Sequence, residues 1–321
     1  MPQRVVQVVS HGPSCLDGVM AAAAVARFYS NDRVLPTLAG NSDADRVLQA
    51  LEVRENGADE IWITDLSWTA LATGNHLTRL AERGAKIYWI DHHRTAVSRA
   101  DAPEFKVPFA GKVLSEQYSA ARLTFNYLRR TFREGPKARR EEFEKFAPFA
   151  LLADDHDRWV HRIPHSEDWA LAVQTLGGIL SYREIVRLEE PRMSRRLRAA
   201  LAAGQEAMQK SLEIAQGTIV DRVLSNGVKL RTACCFGYSS EVAAHLYNKQ
   251  HRTVVALFDL RSQGVSLRRS ADCDVDLSTL AQTFGGGGHA AASGFAMVDL
   301  RRIPAERLAE VVGDRLEQPA S

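Results

Sequence analysis

Cysteine is scarce in this chain. Only four of the 321 residues are cysteines, Cys15, Cys234, Cys235 and Cys273, and no C-x-x-C pair occurs. Adjacent Cys234 and Cys235 are poorly placed to bond each other. Few and scattered cysteines are typical of a reducing compartment with free thiols, so a disulfide-stabilised secreted protein is not expected.

Long hydrophobic runs are absent as well. The longest nearly apolar run, residues 19–26, is far too short to span a bilayer. The valine-rich stretch near the N-terminus is interrupted at Gln7 and does not form a convincing signal peptide. We therefore expect a cytoplasmic protein with no membrane partner.

The chain also carries almost no net charge. Its 41 lysines and arginines are balanced by 39 acidic residues, which leaves a formal charge of +2. It thus lacks the broad basic field of non-specific duplex binders, and no duplex DNA partner is expected. A small anionic substrate in a local pocket fits better than a long nucleic acid. The length predicts two domains, and 45% hydrophobic with 25% charged residues is ordinary for a globular protein.

What the sequence does contain is a regular alternation of patterns in its first half. Apolar strand patterns and amphipathic or alanine-rich helix patterns follow one another as 4–10 (strand), 17–29 (helix), 34–39 (strand), 43–55 (helix), 61–64 (strand), 69–83 (helix) and 86–90 (strand). This alternation predicts parallel βαβ units, and so an α/β fold with a doubly wound parallel sheet.

The second half has a different texture. Helices are predicted at 115–132, 141–153 and 194–215, and the region from 217 onward mixes strands (218–223, 229–235, 253–258, 264–268) with helices (240–248, 277–284). We therefore predict a larger domain at 1–190 that carries the functional site, a helical connector at 191–215, and a smaller α+β substrate-binding domain at 216–321.

Polar side chains follow three of the predicted parallel strands. His11 comes after the first strand, Asp65 after the third, and Asp91, His92 and His93 after the fourth. Ligands bind beyond the carboxyl ends of strands in open parallel sheets, so these groups are expected on one rim. The same constellation includes Cys15, Asp17 and one of Asp154, Asp155 and Asp157. Carboxylates and imidazoles are ligands for divalent cations, and a carboxylate such as Asp65 can bridge two ions.

A second constellation is the glycine run Gly285–Gly288 with His289. Successive glycines let a backbone approach a phosphate, but they also serve a tight turn between a helix and a strand. With Arg268 upstream, substrate binding by Arg268, Gly286, Gly287, Gly288 and His289 is the favoured interpretation. Strand alternation makes Arg268 the expected phosphate ligand and Arg269 its solvated neighbour.

Taken in order, these motifs resemble the DHH phosphoesterase superfamily. Residues 90–94 (IDHHR) resemble its signature, and His11-x-x-x-Cys15-x-Asp17-Gly18 resembles its first motif. Asp65 resembles its second motif, and Asp155 or a neighbour resembles its fourth. Residues 265–268, 285–289 and 292–294 resemble the associated C-terminal domain of the nanoRNase and RecJ-like branch. Each motif is weak alone, but the ordered set covers nearly the whole chain.

The resemblance implies a two-manganese site and hydrolysis by a metal-activated water. His11, Cys15 and Asp65 would bind one ion, and Asp17, Asp65, His92 and Asp155 would bind the other. His93 would contact the scissile phosphate or act as an acid, with Asp91 orienting the histidines. The implied substrates are short: nanoRNA, linear dinucleotides or 3′-phosphoadenosine 5′-phosphate. A homodimer is left open.

Two positions leave alternatives open. The family usually has aspartate where this chain has Cys15. A thiolate would favour zinc or iron over manganese, or would not bind at all, and magnesium stays a possible ion. At the fourth motif, family spacing favours Asp155. If the segment is helical, however, Asp154 and Asp157 share a face and Asp155 points elsewhere, so Asp157 is the reserve.

Two other functions compete with hydrolysis of short nucleotides. A single-strand exonuclease would need a long basic groove, which the near-neutral charge disfavours. A nucleotide-sensing protein with a degenerate metal site is motivated by Cys15.

Overall fold

The computed structural model describes residues 4–54, 59–131, 137–247, 250–296 and 305–317. The chain divides into two compact units, Met1–Gly204 and Gln205–Ser321. The division falls within one long helix, Arg195–Gln216. Glu55, Phe132 and Asn248, which end three of the predicted helices, lie outside the described residues.

The first unit alternates strands and helices. Its strands are β1 (Val5–His11), β2 (Arg33–Ala39), β3 (Glu60–Thr64), β4 (Lys86–Asp91) and β5 (Gly111–Leu114). Its helices are α1 (Leu16–Phe28), α2 (Ala44–Gln49), α3 (Leu71–Glu82), α4 (Arg94–Ser98), α5 (Ala120–Thr131), α6 (Lys137–Glu144), α7 (Ala147–Asp157), α8 (Ser166–Leu176), α9 (Gly178–Ile185) and the start of α10 (Arg195–Gln216), with short 3-10 turns at Asn41–Asp43 and Pro103–Phe105.

The five strands form one parallel sheet in the order β2-β1-β3-β4-β5. The order reverses at β1 and β3, which makes their carboxyl ends the switch point where doubly wound folds bind ligands. The predicted α/β fold with a parallel sheet is confirmed. Strand β5 and helices α8 and α9 had no clear signal in the sequence.

Helices cover both faces of this sheet. Alternate residues along each strand point to opposite faces, so Val8 and Trp62 pack with α1 and α5 while Ile61 and Ile63 pack with α2 and α3. The alanine-rich helix α1 is buried along most of its length. Small side chains let this helix lie close to the sheet, and alanine also has the highest helix propensity.

Helices α6 and α7 correct one prediction. The pattern at 141–153 predicts a single helix, whereas the chain forms two helices that break at Lys145 and Phe146. Helix α7 then continues through Asp157, so the acidic segment 154–157 is helical.

The second unit contains a mixed six-stranded sheet. Its strands are β6 (Val220–Val223), β7 (Lys229–Cys235), β8 (Thr253–Asp259), β9 (Gly264–Arg269), β10 (Gly287–His289) and β11 (Ala292–Ala296), in the order β10-β11-β9-β8-β7-β6. Its helices are the end of α10, α11 (Ser239–Tyr247), α12 (Leu277–Gln282) and α13 (Ala305–Glu317). Strands β7 and β8 pair in parallel, and the other described neighbours pair antiparallel. The predicted α+β character of this region is confirmed.

No helix among the described residues is long and apolar enough to cross a membrane.

Candidate metal centre

The polar residues predicted on one rim meet at the carboxyl edge of the first sheet. His11 is the last residue of β1, Asp65 directly follows β3, and Asp91 ends β4, with His92 and His93 next in the chain. Strands β1, β3 and β4 are neighbours in the sheet. The parallel arrangement therefore carries side chains from three distant segments to a common site.

Asp65 lies at the middle of this group and turns one carboxylate oxygen to each side. Its Oδ2 lies 3.5 Å from His11 Nδ1 and 3.6 Å from Cys15 Sγ. Its Oδ1 lies 3.3 Å from His92 Nε2 and 3.7 Å from His93 Nδ1. Oδ1 is buried, and within the described part of the chain it makes no hydrogen bond of good geometry. A buried carboxylate oxygen in that state is costly unless a cation, either a protonated imidazole or a metal ion, contacts it.

The backbone of Asp65 is also unusual. Its φ angle is +55°, in the left-handed region that aspartate tolerates better than most residues. Its N–H donates to Ile90 O at 2.9 Å, which ties the residue to β4. Gly18 allows the first turn of α1 to pack closely against the end of β1, because a Cβ at this position would lie 2.0 Å from the carbonyl oxygen of His11.

A second group forms around His92. Its Nε2 lies 3.7 Å from Asp17 Oδ2 and 3.4 Å from Asp157 Oδ2. Asp17 and His92 are buried, and the side chain of Asp157 is 24% exposed. Together with Asp65, these residues form overlapping sets of potential ligand atoms that lie within 4.8 Å of one another.

The structure does not bring the predicted ligand Asp155 into this group. Asp155 accepts hydrogen bonds from the backbone N–H of Arg162 at 2.8 Å and from Ser166 Oγ at 2.6 Å, so its carboxylate holds the segment that leads into α8. Because α7 continues to Asp157, residues three apart share a face, and Asp157 rather than Asp155 reaches His92. Asp157 replaces Asp155 in the proposal below.

Asp91 has the contacts of an orienting group. Its Oδ1 accepts the backbone N–H groups of His92 at 2.7 Å and His93 at 3.0 Å, and lies 2.7 Å from His93 Nδ1. Its Oδ2 accepts the hydroxyl of Ser67 at 2.6 Å. Burial opposes ionisation of Asp91, but the charge and hydrogen bond of His93 outweigh it and hold the pKa of Asp91 below its usual range. Ser67 carried no recognisable signal in the sequence.

The electrostatics of the group show an excess of negative charge. Burial disfavours a charged His92, but the hydrogen bond with Asp65 and the charges of Asp157 and Asp17 outweigh burial and raise the pKa of His92 to about 10. Burial raises the pKa of Asp17 well above its usual range, and the charges of Asp65 and Asp157 act in the same direction. Burial likewise raises the pKa of Asp157.

The same surroundings shift the pKa values of Asp65 and Cys15 in opposite directions. Burial would raise the pKa of Asp65, but hydrogen bonds to His11 and His92 and the charge of His93 hold it well below its usual range. Burial and the charge of Asp65 raise the pKa of the Cys15 thiol well above its ordinary value. A thiolate at Cys15 therefore needs a nearby cation.

This donor set fits divalent cations. Three carboxylates, three imidazoles and the Cys15 thiol fall into overlapping groups of three whose candidate ligand atoms lie within 4.8 Å of one another. The buried Oδ1 of Asp65 lacks a well-aligned donor among the described residues. Oxygen and imidazole donors suit manganese, magnesium, iron and zinc, and a thiolate would shift one position toward the softer ions.

The predicted substrate-binding residues lie in the second unit. Arg268, on β9, donates to Ser240 Oγ at 2.6 Å and to Leu267 O at 2.8 Å, and burial lowers its pKa. The expectation that Arg269 is solvated is wrong, because its guanidinium donates to the carbonyl oxygens of Ala290 and Cys273.

The glycine run does more than form a turn. Gly285 has a positive φ of 74° and turns the chain after α12, but Gly287, Gly288 and His289 form strand β10, which pairs with β11. A Cβ on Gly286 would lie 2.2 Å from the carbonyl oxygen of Gly294, so this position requires glycine for close packing.

Comparison with known proteins agrees with this fold. Residues 235–318 match the DHHA1 domain. No curated protein sequence matches the chain significantly. Among solved structures, RecJ from Thermus thermophilus in complex with Mn²⁺ is similar with a TM-score of 0.59 and 16% identity, over 99% of this chain and 52% of RecJ.

Two other similar structures are nearer in length. A DHH-domain protein described as a member of a family of ribosomal proteins has a TM-score of 0.57 and 14% identity, over 99% of this chain and 88% of its own. The pGpG-specific phosphodiesterase PggH from Vibrio cholerae has a TM-score of 0.52 and 14% identity, over 98% of both chains.

These findings show what the chain resembles. The C-terminal region carries a DHHA1 domain, and the chain as a whole has the fold of DHH proteins. The resemblance to the DHH superfamily that the sequence motifs indicate is thereby confirmed.

Proposed function

We propose that this protein is a divalent-metal-dependent hydrolase of phosphate esters in short nucleotides. The observation that carries the proposal is the position of Asp65, whose two carboxylate oxygens face two different sets of donors. A carboxylate in that position is suited to bridge two cations. Pairs of ions about 3.5–4 Å apart are used by many phosphoryl-transfer enzymes.

Each ion would have its own set of ligands. His11, Cys15 and Asp65 would hold one ion, and Asp17, Asp65, His92 and Asp157 would hold the other. When bound, such ions lower the pKa of water and neutralise charge on phosphoryl oxygens.

The protein's own groups would handle the proton and the substrate. Asp91 Oδ1 holds the Nδ1 side of His93 and so orients the ring. Burial opposes protonation of His93, but the charge and hydrogen bond of Asp91 and the charge of Asp65 outweigh it and raise its pKa. An imidazolium so placed can donate a hydrogen bond to a phosphate, or a proton to a leaving oxygen.

The second unit would bind the nucleotide. Arg268 presents a half-buried guanidinium beside the hydroxyl of Ser240, and guanidinium is well matched to phosphate. Gly286, Gly287, Gly288 and His289 would contribute backbone and imidazole contacts to the same substrate.

The proposed substrates are oligoribonucleotides of a few residues, linear dinucleotides or 3′-phosphoadenosine 5′-phosphate. PggH acts on the dinucleotide pGpG and has about the length of this chain, which supports a short substrate. RecJ from Thermus thermophilus is about twice as long as the segment it shares with this chain, whereas this chain covers 91% of another RecJ structure, described as an exonuclease bound to manganese. Manganese is the proposed metal. The proposed location of the protein is the cytoplasm.

A panel of substrates tests the proposal. The protein is incubated with Mn²⁺ and diadenylate, diguanylate, 3′-phosphoadenosine 5′-phosphate, cyclic dinucleotides, polyphosphate and long single strands. We expect metal-dependent turnover of the short linear substrates, and loss of it in Asp65→Asn. Asp45→Asn is the matched control, because Asp45 accepts hydrogen bonds from Thr69 and Thr73 away from this site.

Two results would contradict the proposal. One is the absence of metal-dependent turnover for every member of the panel. The other is Asp65→Asn retaining the parent's activity. Long strands cleaved as fast as dimers would instead favour the exonuclease.

Cys15 supports a second candidate, a nucleotide-binding protein with one weakened metal position. The Sγ of Cys15 lies 3.6 Å from Asp65 Oδ2. The family that this chain resembles usually has a carboxylate at the position of Cys15. This candidate predicts tight nucleotide binding, at most one bound ion and no hydrolysis by the parent. Activity gained in Cys15→Asp would favour it over the first.

A further inference from the structure

The first turn of α5 binds two buried carboxylates at once. The backbone N–H groups of Ala120 and Ala121 donate to Asp17 Oδ2 at 2.7 Å and Oδ1 at 2.9 Å. The N–H of Ser119, the residue before them, donates to Asp154 Oδ1 at 2.7 Å. The first N–H groups of a helix have no partner within the helix, and its N-terminus favours negative charge.

Asp154 contacts this turn at two residues, Ser119 and Arg122. Its Oδ2 accepts Arg122 Nη1 at 2.7 Å, and the Arg122 guanidinium lies over the ring of Tyr118 at 3.8 Å. One carboxylate on α7 thus contacts a backbone N–H at the start of α5 and a side chain one turn later.

Two of the proposed ligands near His92 depend on the same two helices: Asp17, on α1, is bound by α5, and Asp157 lies on α7. Asp17 Oδ2 accepts from the first turn of α5 and lies 3.7 Å from His92 Nε2. Asp157 lies on the same face of α7 as Asp154, one turn later, with its Oδ2 3.4 Å from the same nitrogen. The contact between Asp154 and the α5 turn thus links the helix that carries Asp157 to the turn that binds Asp17.

We propose that Asp154 is a positioning residue that holds Asp17 and Asp157 at ion-binding separation by tying α7 to the first turn of α5. This inference rests on the proposed metal centre. Asp154 touches neither substrate nor ion, and it acts through the backbone that orients Asp17. It also accounts for the run of acids at 154–157: Asp154 joins two helices, Asp155 holds the segment before α8, and Asp157 faces His92.

Asp155 is the matched control for Asp154. Both side chains are buried to the same degree, with 5% of each residue exposed, and both accept one backbone N–H and one side-chain donor. Loss of either carboxylate should lower the melting temperature of the metal-free protein. Of the two, Asp154 is the one linked to the α5 turn.

The experiment compares Asp154→Ala and Asp155→Ala in the full chain. Mn²⁺ binding is measured by calorimetric titration, and the melting temperature is measured with and without Mn²⁺. We expect Asp154→Ala to weaken one of the two Mn²⁺ steps by about 10- to 100-fold, as is typical for groups that orient metal ligands. Asp155→Ala should bind Mn²⁺ like the parent. Asp154→Asn, which keeps an oxygen for the Ser119 N–H but loses the charge facing Arg122, should be intermediate.

The outcomes separate this inference from the proposed function. Parent-like Mn²⁺ binding by Asp154→Ala, or equal weakening by both alanine variants, overturns the positioning role and leaves the hydrolase proposal intact. A parent that binds no Mn²⁺ overturns both. If the alanine variants do not fold, the same comparison of Asp154→Asn with Asp155→Asn decides, because both asparagine variants preserve side-chain volume.

Discussion

His92 Nε2, at the end of the fourth strand, lies 3.4 Å from the Oδ2 of Asp157, at the last turn of α7. The contact joins two segments that are far apart in the chain and that meet only because α7 packs beside α1 and α5. Asp157 is therefore the acidic residue of 154–157 whose carboxylate we propose as a metal ligand.

Replacement of Asp157 is therefore expected to remove one ion position. Asp157→Asn should weaken one Mn²⁺ step by at least about 100-fold, since even groups that only orient ligands cost 10- to 100-fold. Calorimetric titration with Mn²⁺ measures the effect. Asp155→Asn is the control, and the assignment fails if that variant, rather than Asp157→Asn, loses the ion.

Divalent ions should stabilise the protein strongly. Asp17, Asp65 and Asp157 converge in a buried site, and a bound cation would offset their mutual repulsion. An ion present at about 100 times its dissociation constant adds about 2.7 kcal/mol to the free energy of unfolding. For a unit of this size that corresponds to a rise in melting temperature of about 5–10 °C.

Thermal unfolding with Mn²⁺, and again after chelation, measures this rise. Asp65→Asn should show none of it. A melting temperature that does not change between the metal-loaded and chelated parent would argue against a metal centre.

Ion binding at His92 should release protons. The pKa of His92 is raised from 6.5 to about 10, so its imidazole is protonated at neutral pH in the metal-free protein, while a metal binds the neutral form. Mn²⁺ affinity should therefore rise with pH up to about 10. Calorimetry at pH 7 in two buffers of different ionisation enthalpy counts the protons released. His92→Gln should reduce the number of protons released, and the raised pKa values of Asp17, Asp157 and Cys15 account for the remainder.

The same shift has a consequence for the metal-free protein. A raised pKa means that the folded state binds the proton more tightly than the unfolded chain does. The stabilisation from His92 is thus fully present below pH 6.5 and is lost as pH rises toward 10. Urea unfolding of the chelated protein across this range should show a falling free energy of unfolding, and a smaller fall in His92→Gln.

The close approach of α1 to β1 should be sensitive to a single methyl group. A Cβ at Gly18 would lie 2.0 Å from His11 O and 3.1 Å from Asp65 Oδ2. Gly18→Ala should lower the free energy of unfolding by about 1–3 kcal/mol or more, as overpacking does, and should weaken Mn²⁺ binding. Gly40→Ala is the control, because its Cβ would have only Ser42 Oγ within 4 Å, at 3.9 Å. Equal effects at both positions would contradict the packing argument.

Much of the fold follows from local patterns. Buried strands in parallel sheets are continuous apolar runs, and helices show a 3.6-residue period. The local sequence pattern was therefore enough to recognise β1, β3 and β4 and the helices between them. Strand β5 is only four residues long and half-buried, and two of the three residues of β10 are glycines, so neither has a strand pattern. Their pairing partners make them strands.

One part of the candidate site could likewise be predicted from the sequence and another part could not. Because parallel strands end at one edge of a sheet, the order of strands in the sequence was enough to place His11, Asp65 and the 91–93 segment together. The fourth motif was different, because its side chains are sorted by where α7 stops and which helix it packs against. Helical geometry pointed to Asp157, whereas family spacing pointed to Asp155.

The sequence by itself determined the parallel sheet, the rim that holds the polar groups, and the kinds of ligand atom on that rim, since these depend on short-range patterns and strand polarity. Only the tertiary structure decided which of Asp154, Asp155 and Asp157 faces His92, and that the first turn of α5 holds Asp17. Backbone N–H groups at a helix start carry no side-chain signature, and contacts between helices depend on packing that no local pattern encodes.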